Sequence, residues 1–287
     1  MRVRIRSILV GAFAGLFSVL GGAAAPTPDD AAFRALYKEL VEINTTRSVG
    51  SCTQAAEAIR TRLVDGGMPA ADTQILKPPD RPKDGALIAV IHGTDKRVKP
   101  ILLLAHIDVV EAKREDWERD PFTLVEENGW FYARGASDDK AMAAVFADSL
   151  IRFRRERFKP RRDIKLALTC GEETPGVFNS VKWLTETQPD VLRAAFALNE
   201  GAGGELDKND KPVALQIQAG EKVYQDFALD GRFLNVAGIP TYGLSGMFHD
   251  AEGSRAHGLN ERIRVRSLLD GRRFLYEVVR LYGNSSD

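Results

Sequence analysis

Two stretches of this chain, Ala86-Leu-Ile-Ala-Val-Ile91 and Ile101-Leu-Leu-Leu-Ala105, are unbroken apolar runs bounded by glycine and proline. A strand with one wet face alternates apolar and polar residues, so runs like these need cover on both faces. Cover of that kind comes from helices, and the sequence supplies them. Asp29 to Asn44 places Phe33, Leu36, Leu40 and Val41 at helical spacing. Ser51 or Thr53 can cap a second helix running to about Val64, closed by Gly66-Gly67. Further helices are expected at about 139–153, 180–187 and 265–282, with strands at 164–169 and 194–198. This alternation predicts an α/β fold: a single domain with a mixed, mostly parallel central sheet flanked by helices. No internal repeat or low-complexity tract interrupts it.

Ligands in such sheets gather outside the carboxyl ends of strands. His106 follows the run at 101–105, Glu172 and Glu173 follow the strand at 164–169, and Glu200 follows the strand at 194–198. Asp138 sits in the turn Arg134-Gly-Ala-Ser-Asp138-Asp-Lys140 that opens a helix, and His257 lies in a polar loop before the last helix. Histidines and carboxylates in this number suit a pair of divalent cations, with one carboxylate left over as a base. His106 and Asp108 are two apart, so in an extended segment they share a side. Asp108 is expected to accept from the imidazole nitrogen that does not face a cation. Adjacent acids after a buried strand point in different directions, so one of Glu172 and Glu173 can hold a metal while its neighbour handles a water proton. Taken singly these residues are ordinary: Asp138 and Asp139 would pass as helix-start acids, and His92 and His249 are given no role.

The first 25 residues stand apart. Arg2, Arg4 and Arg6 precede an apolar stretch from Ile8 to Leu20 and the small-residue run Gly21 to Ala25, the layout of a secretory signal peptide. The expected division is a signal at 1–25 and a domain at 26–287, periplasmic or secreted, with no stable membrane span after cleavage. The formal net charge of zero offers no electrostatic case for nucleic acid. Cys52 and Cys170 are the only cysteines; a bridge and two buried thiols both fit.

Leu104-Ala-His106-Ile-Asp108, Arg134-Gly-Ala-Ser-Asp138-Asp-Lys140, Gly171-Glu172-Glu173, Asn199-Glu200-Gly201 and His257-Gly-Leu-Asn-Glu261 together resemble the dinuclear zinc hydrolase family of glutamate carboxypeptidase, aminoacylase, succinyl-diaminopimelate desuccinylase and carnosinase. The resemblance implies that His106, Asp138 and Glu200 hold one zinc, and that Asp138, Glu173 and His257 hold the other. Cobalt or manganese would fit the same donors. It makes Glu172 the general base and Asp108 the orienter of His106, and it chooses Asp138 over Asp139. The implied reaction is hydrolysis of a small peptide or N-acyl amino-acid amide bond by metal-activated water, with a carboxypeptidase or acylase lean. A dipeptidase or aminopeptidase is the near alternative.

Members of that family usually carry a smaller lid domain, which forms the dimer contact and supplies a carbonyl-binding histidine. Here the run Gly220 to Leu229, which resembles the approach to the lid, is fused at about 229–230 to Asp230-Gly-Arg232, which resembles the segment after it. The lid is expected to be absent, and with it the dimer surface. A lost carbonyl donor costs about 10²–10³ in rate, so a catalytically weak metal-binding protein is the contrasting reading. Arg232 is the candidate anchor for a substrate carboxylate, because a planar guanidinium suits bidentate pairing.

Overall fold

The computed structural model describes residues 27–219 and 229–286. The expected signal peptide and the run at 220–228 beside the proposed junction lie outside the described residues.

Thr27 accepts from the Asp30 amide and, with the Asp30 carboxylate, forms a capping box that starts α1 (Pro28–Glu42). Ser51 caps α2 (Cys52–Asp65), which leads into β1 (Thr73–Leu76), β2 (Ala86–Ile91) and β3 (Ile101–His106). A short hairpin, β4 (Val125–Glu127) and β5 (Trp130–Tyr132), precedes α3 (Lys140–Arg155) and β6 (Ile164–Thr169). Next come α4 (Ser180–Thr187), α5 (Pro189–Leu192), β7 (Phe196–Asn199), β8 (Gly204–Leu206), β9 (Pro212–Leu215) and β10 (Gln218–Ala219). The chain closes with α6 (Leu229–Val236), β11 (Thr241–Gly243), β12 (Phe248–His249), β13 (Arg262–Arg264) and α7 (Val265–Asn284).

The main sheet has seven strands in the order β1-β2-β6-β3-β7-β11-β10. Its centre, β6-β3-β7-β11, is parallel throughout, while β1, β2 and β10 join by antiparallel pairings. The unbroken apolar runs behave as their composition demands. Leu103 and Ala105 face one core with Leu166 and Leu168, packed against α1, α2, α3 and α7. Leu102 and Leu104 face a second core with Val181, Leu184 and Leu234 of α4 and α6. α3 is buried along nearly its whole length, and its one acid there, Asp148, pairs with Arg272 of α7 at 2.7 Å. Arg272 also reaches Asp30 of α1 at 2.9 Å, so one guanidinium joins three helices.

Element types match the sequence expectation, with differences at the ends. α1 stops at Glu42, because Ile43 turns extended, and β7 begins at Phe196 because α5 occupies the chain up to Leu192. β1, β10, β11, α5, α6 and the two small sheets, β12-β8-β9 and β13-β5-β4, were not anticipated. Strands of two to four residues carry too little periodicity to register, and pairing partners far along the chain define them. Cys52 and Cys170 form a disulfide with Cα atoms 6.0 Å apart, which settles the alternative left open by their number.

Candidate metal centre

Three adjacent parallel strands deliver the first groups. β3 lies between β6 and β7, so His106, the segment after Thr169 and the residue after Asn199 all emerge at one edge. His106 is 1% exposed, and its Nδ1 lies 3.0 Å from the Asp108 carbonyl oxygen. A carbonyl can only accept, so Nδ1 carries the hydrogen and Nε2 faces the cluster. Nε2 is 3.0 Å from Asp138 Oδ1 and 3.4 Å from Glu200 Oε2.

The other half is built by the turn before α3 and the loop before β13. His257 Nε2 lies 3.1 Å from Asp138 Oδ2 and 2.9 Å from Glu173 Oε2. Each oxygen of Asp138 therefore faces a different imidazole. Donor atoms of His106, Asp138 and Glu200 lie within 4.8 Å of one another, and so do those of Asp138, Glu173 and His257. Glu172, 8% exposed, also places an oxygen within that distance of His106 and Glu173.

Electrostatics reflect a crowded, mostly buried cluster with the half-exposed His257 at its rim. Burial raises the Glu200 and Glu173 pKa values above the usual carboxylate range, and nearby carboxylates add to the effect. Burial acts against charge on His106, yet Glu200 and Asp138 outweigh it and lift the imidazole well above its ordinary value. Burial also works against ionised Asp138, but hydrogen bonds from both histidines hold it well below the usual range. Hydrogen bonding to Asp138 raises His257.

Residues 102–218 match the peptidase family M20/M25/M40. Over 144 residues the chain is 38% identical to the N-fatty-acyl-amino acid synthase/hydrolase PM20D1 of Mus musculus, covering 48% of this chain and 28% of that protein. Over 116 residues it is 33% identical to human aminoacylase-1, covering 40% of this chain and 28% of that protein. The family match covers less than half of this chain. The matched stretch spans little more than a quarter of these curated relatives. Among solved structures, an M20 family metallo-carboxypeptidase from Sulfolobus solfataricus superposes with TM-score 0.64 at 14% identity, covering 88% of this chain and 99% of that one. The Legionella pneumophila LapA aminopeptidase gives 0.61 at 14% identity, covering 99% and 81%. Identities this low bear on the fold alone.

The structure gathers seven of the eight residues singled out from sequence and leaves one outside. Arg232 is exposed on α6, and among the described residues no ion pair joins it to the cluster. Asp108 departs from its expected role. Its carboxylate is 3.7 Å from His106 Nδ1, beyond hydrogen-bond reach, and the Asp108 backbone carbonyl orients the ring instead. The carboxylate accepts from the amides of Glu172 at 3.3 Å and Glu173 at 3.0 Å. The reason is geometric: the paired acids turn back over Asp108 and present two consecutive N–H groups to it.

Sequence reasoning missed the groups that hold this arrangement. Glu261 is fully buried and accepts from the amides of Gly135, Ser137 and Asp138 at 3.0, 2.8 and 3.0 Å, and from Arg134 Nη1 at 2.8 Å. It comes from the His257 loop, so one carboxylate ties the two segments that carry Asp138 and His257. Arg134 also donates to the Gly258 carbonyl at 2.8 Å. Lys140 is buried, with Nζ 2.7 Å from the Ile43 carbonyl beyond the end of α1, and burial pushes its pKa down to about 7. Gly171 starts the turn carrying the paired acids with φ +92°; a Cβ there would sit 2.1 Å from the Phe178 carbonyl oxygen, so glycine is needed twice over. The available signal was the presence of Arg134 and Glu261 inside the same motifs as the proposed ligands.

Proposed function

We propose that this domain hydrolyses the amide bond of N-acyl amino acids, using two divalent cations, most naturally zinc. The observation that carries the reading is the Asp138 carboxylate, whose two oxygens face His106 and His257 at 3.0 and 3.1 Å with Glu200 and Glu173 alongside. The donor set fits a cation pair on its own chemistry. Asp138, Glu173 and Glu200 are mostly shielded carboxylates balanced by only two imidazoles, and burial works against the charged forms of Glu173 and Glu200, which a cation would favour. His106, Asp138 and Glu200 would hold one ion, and Asp138, Glu173 and His257 the other.

Bound there, the ions supply Lewis acidity that polarises a carbonyl and lowers the pKa of a water. The protein's own groups do the rest. Glu172 stands beside both halves of the cluster and is assigned the proton: it accepts one from the attacking water and returns it to the departing nitrogen. Asp108 holds the Glu172 and Glu173 amides and so keeps the base turned toward the cluster. His106 keeps its Nε2 facing inward because Nδ1 is committed to a backbone carbonyl.

The substrate class is supported by the names of the curated relatives, an N-fatty-acyl-amino acid hydrolase and an aminoacylase. Export to the periplasm or beyond is part of the same reading. It is supported by the leader-like residues 1–25 and by the Cys52–Cys170 disulfide, which suits an oxidising compartment. Among the described residues no helix is long and apolar enough to cross a membrane.

The test is metal analysis of the purified protein followed by turnover of a panel of N-acyl amino acids and dipeptides. Two ions per chain, preferential cleavage of the acyl substrates and a loss of about 10²–10⁴ in kcat for Glu172→Gln with both ions retained are expected. Two bound ions with no cleavage of either class would overturn the catalytic reading in favour of a metal-binding protein.

A further inference from the structure

Asp230 is a buried carboxylate that the chemistry above leaves unused. It stands in the first turn of α6, 1% exposed. One of its oxygens is met by the Thr169 hydroxyl in a short contact, and the other accepts from Asn179 Nδ2 at 2.5 Å. Both partners belong to the segment that carries the proposed base. Thr169 is the last residue of β6, three before Glu172. Asn179 caps α4, with its Oδ1 accepting from the Lys182 amide, and its Nδ2 also donates to the Gly171 carbonyl at 3.3 Å. Gly171 and Glu172 share one peptide bond, so the carbonyl held by Asn179 belongs to the peptide whose amide Asp108 holds from the other side.

The hydrogen count around Asp230 is informative. The Thr169 hydroxyl has one hydrogen but two acceptors in reach, Asp230 and the Ala105 carbonyl at 3.2 Å. The set closes when Asp230 carries a proton: it donates to Thr169, Thr169 donates to Ala105, and Asn179 donates to the second Asp230 oxygen. Burial, aided by the nearby Glu172 charge, pushes Asp230 up to about 7, consistent with that count.

We propose that Asp230 is a positioning residue for Glu172: it fixes the Asn179 amide, which holds the Gly171 carbonyl and so sets the plane of the peptide leading into the base. The inference rests on Glu172 acting as the base, and its test keeps the two claims separable. Kinetics on a hydrolysed N-acyl amino acid would compare wild type, Asp230→Ala, Asp230→Asn, Glu172→Gln and the double variant Asp230→Ala/Glu172→Gln, with metal content measured for each. Misplacing a reacting group by about an ångström costs up to roughly 10²-fold, so Asp230→Ala is expected to lower kcat about tenfold or more, with KM little changed and both ions retained. Asp230→Asn reproduces the donor and acceptor pattern of the protonated acid and is expected to restore most of kcat. In the Glu172→Gln background Asp230→Ala is expected to change little, because the group it positions is already gone.

Should Asp230→Ala fail to fold, Asn179→Ser retains a helix-capping oxygen, removes the amide and is expected to show the same loss of kcat. Unchanged kcat in Asp230→Ala or in Asn179→Ser, loss of the bound ions, or a full additional loss in the Glu172→Gln background would each overturn the positioning role. A wild type without hydrolysis, or Glu172→Gln as active as wild type, would instead remove the functional reading beneath it.

Discussion

Replacing Glu261 with alanine tests whether one buried carboxylate holds the two halves of the site together. The side chain serves four donors at 2.8–3.0 Å, three backbone amides and one guanidinium, and has no solvent contact. Removing one partner of a buried ion pair costs about 3–5 kcal/mol, and a buried donor left unmet costs about 1–3 kcal/mol. These losses share a single carboxylate and do not add, so the expected destabilisation is about 3–5 kcal/mol in total. For a domain of this size that corresponds to a fall in Tm of roughly 6–20 °C. Glu261→Gln keeps the shape and one acceptor oxygen and should fall between wild type and alanine. The assay is guanidinium unfolding of chelator-treated protein, so that bound ions do not contribute, read as a shift in midpoint at constant slope. Zinc titration of the same variants should show weakened binding, since Asp138 and His257 sit on the two segments that Glu261 joins. An alanine variant within about 1 kcal/mol of wild type and with unchanged zinc affinity would refute the clamp.

Three further outcomes follow from the same geometry. Burial leaves Glu173 and Glu200 holding protons more firmly than usual in the metal-free cluster, and neighbouring carboxylates do the same for His106 and His257 against the effect of burial, so zinc binding at neutral pH should release protons and weaken as pH falls. Calorimetry in buffers of differing ionisation enthalpy would show it, and a buffer-independent heat would count against it. Changing both Cys52 and Cys170 to serine frees a loop spanning 118 residues and should cost about 2–5 kcal/mol, measured as a drop in Tm that reducing agent does not deepen. At the far end of β6 burial works against ionised Asp163, but the Lys96 ammonium at 2.7 Å and the Gly93 amide outweigh it and lower its pKa. A carboxylate lowered on folding stabilises above its ordinary value of 3.8 and loses that contribution as pH falls below it. Asp163→Asn should therefore flatten the stability profile below about pH 4, and an unaltered acid limb would contradict the pairing.

What the sequence alone determined is local or periodic. The run at 101–105 suited a strand covered on both sides, and β3 is that strand. The residues just past strand ends were legible as a site because parallel strands share a direction, so their carboxyl ends share an edge. Ser51 as the cap of α2 was one of two options the spacing allowed. What only the tertiary structure decided involves partners far apart along the chain. Glu261 and Asp138 are 123 residues apart and their hydrogen bond has no local signature. Asp230 and Asn179 are separated by 51 residues, Cys52 and Cys170 by 118, and composition left each of these groups free to sit elsewhere. The role of Asp108 shows the same limit at short range. Spacing placed it on the right side of His106, but only the fold of the 170–173 turn decided that its carboxylate would hold two amides while its carbonyl held the ring. Periodicity records which face a residue occupies; the hydrogen-bond partner it finds there depends on where the rest of the chain brings its own donors.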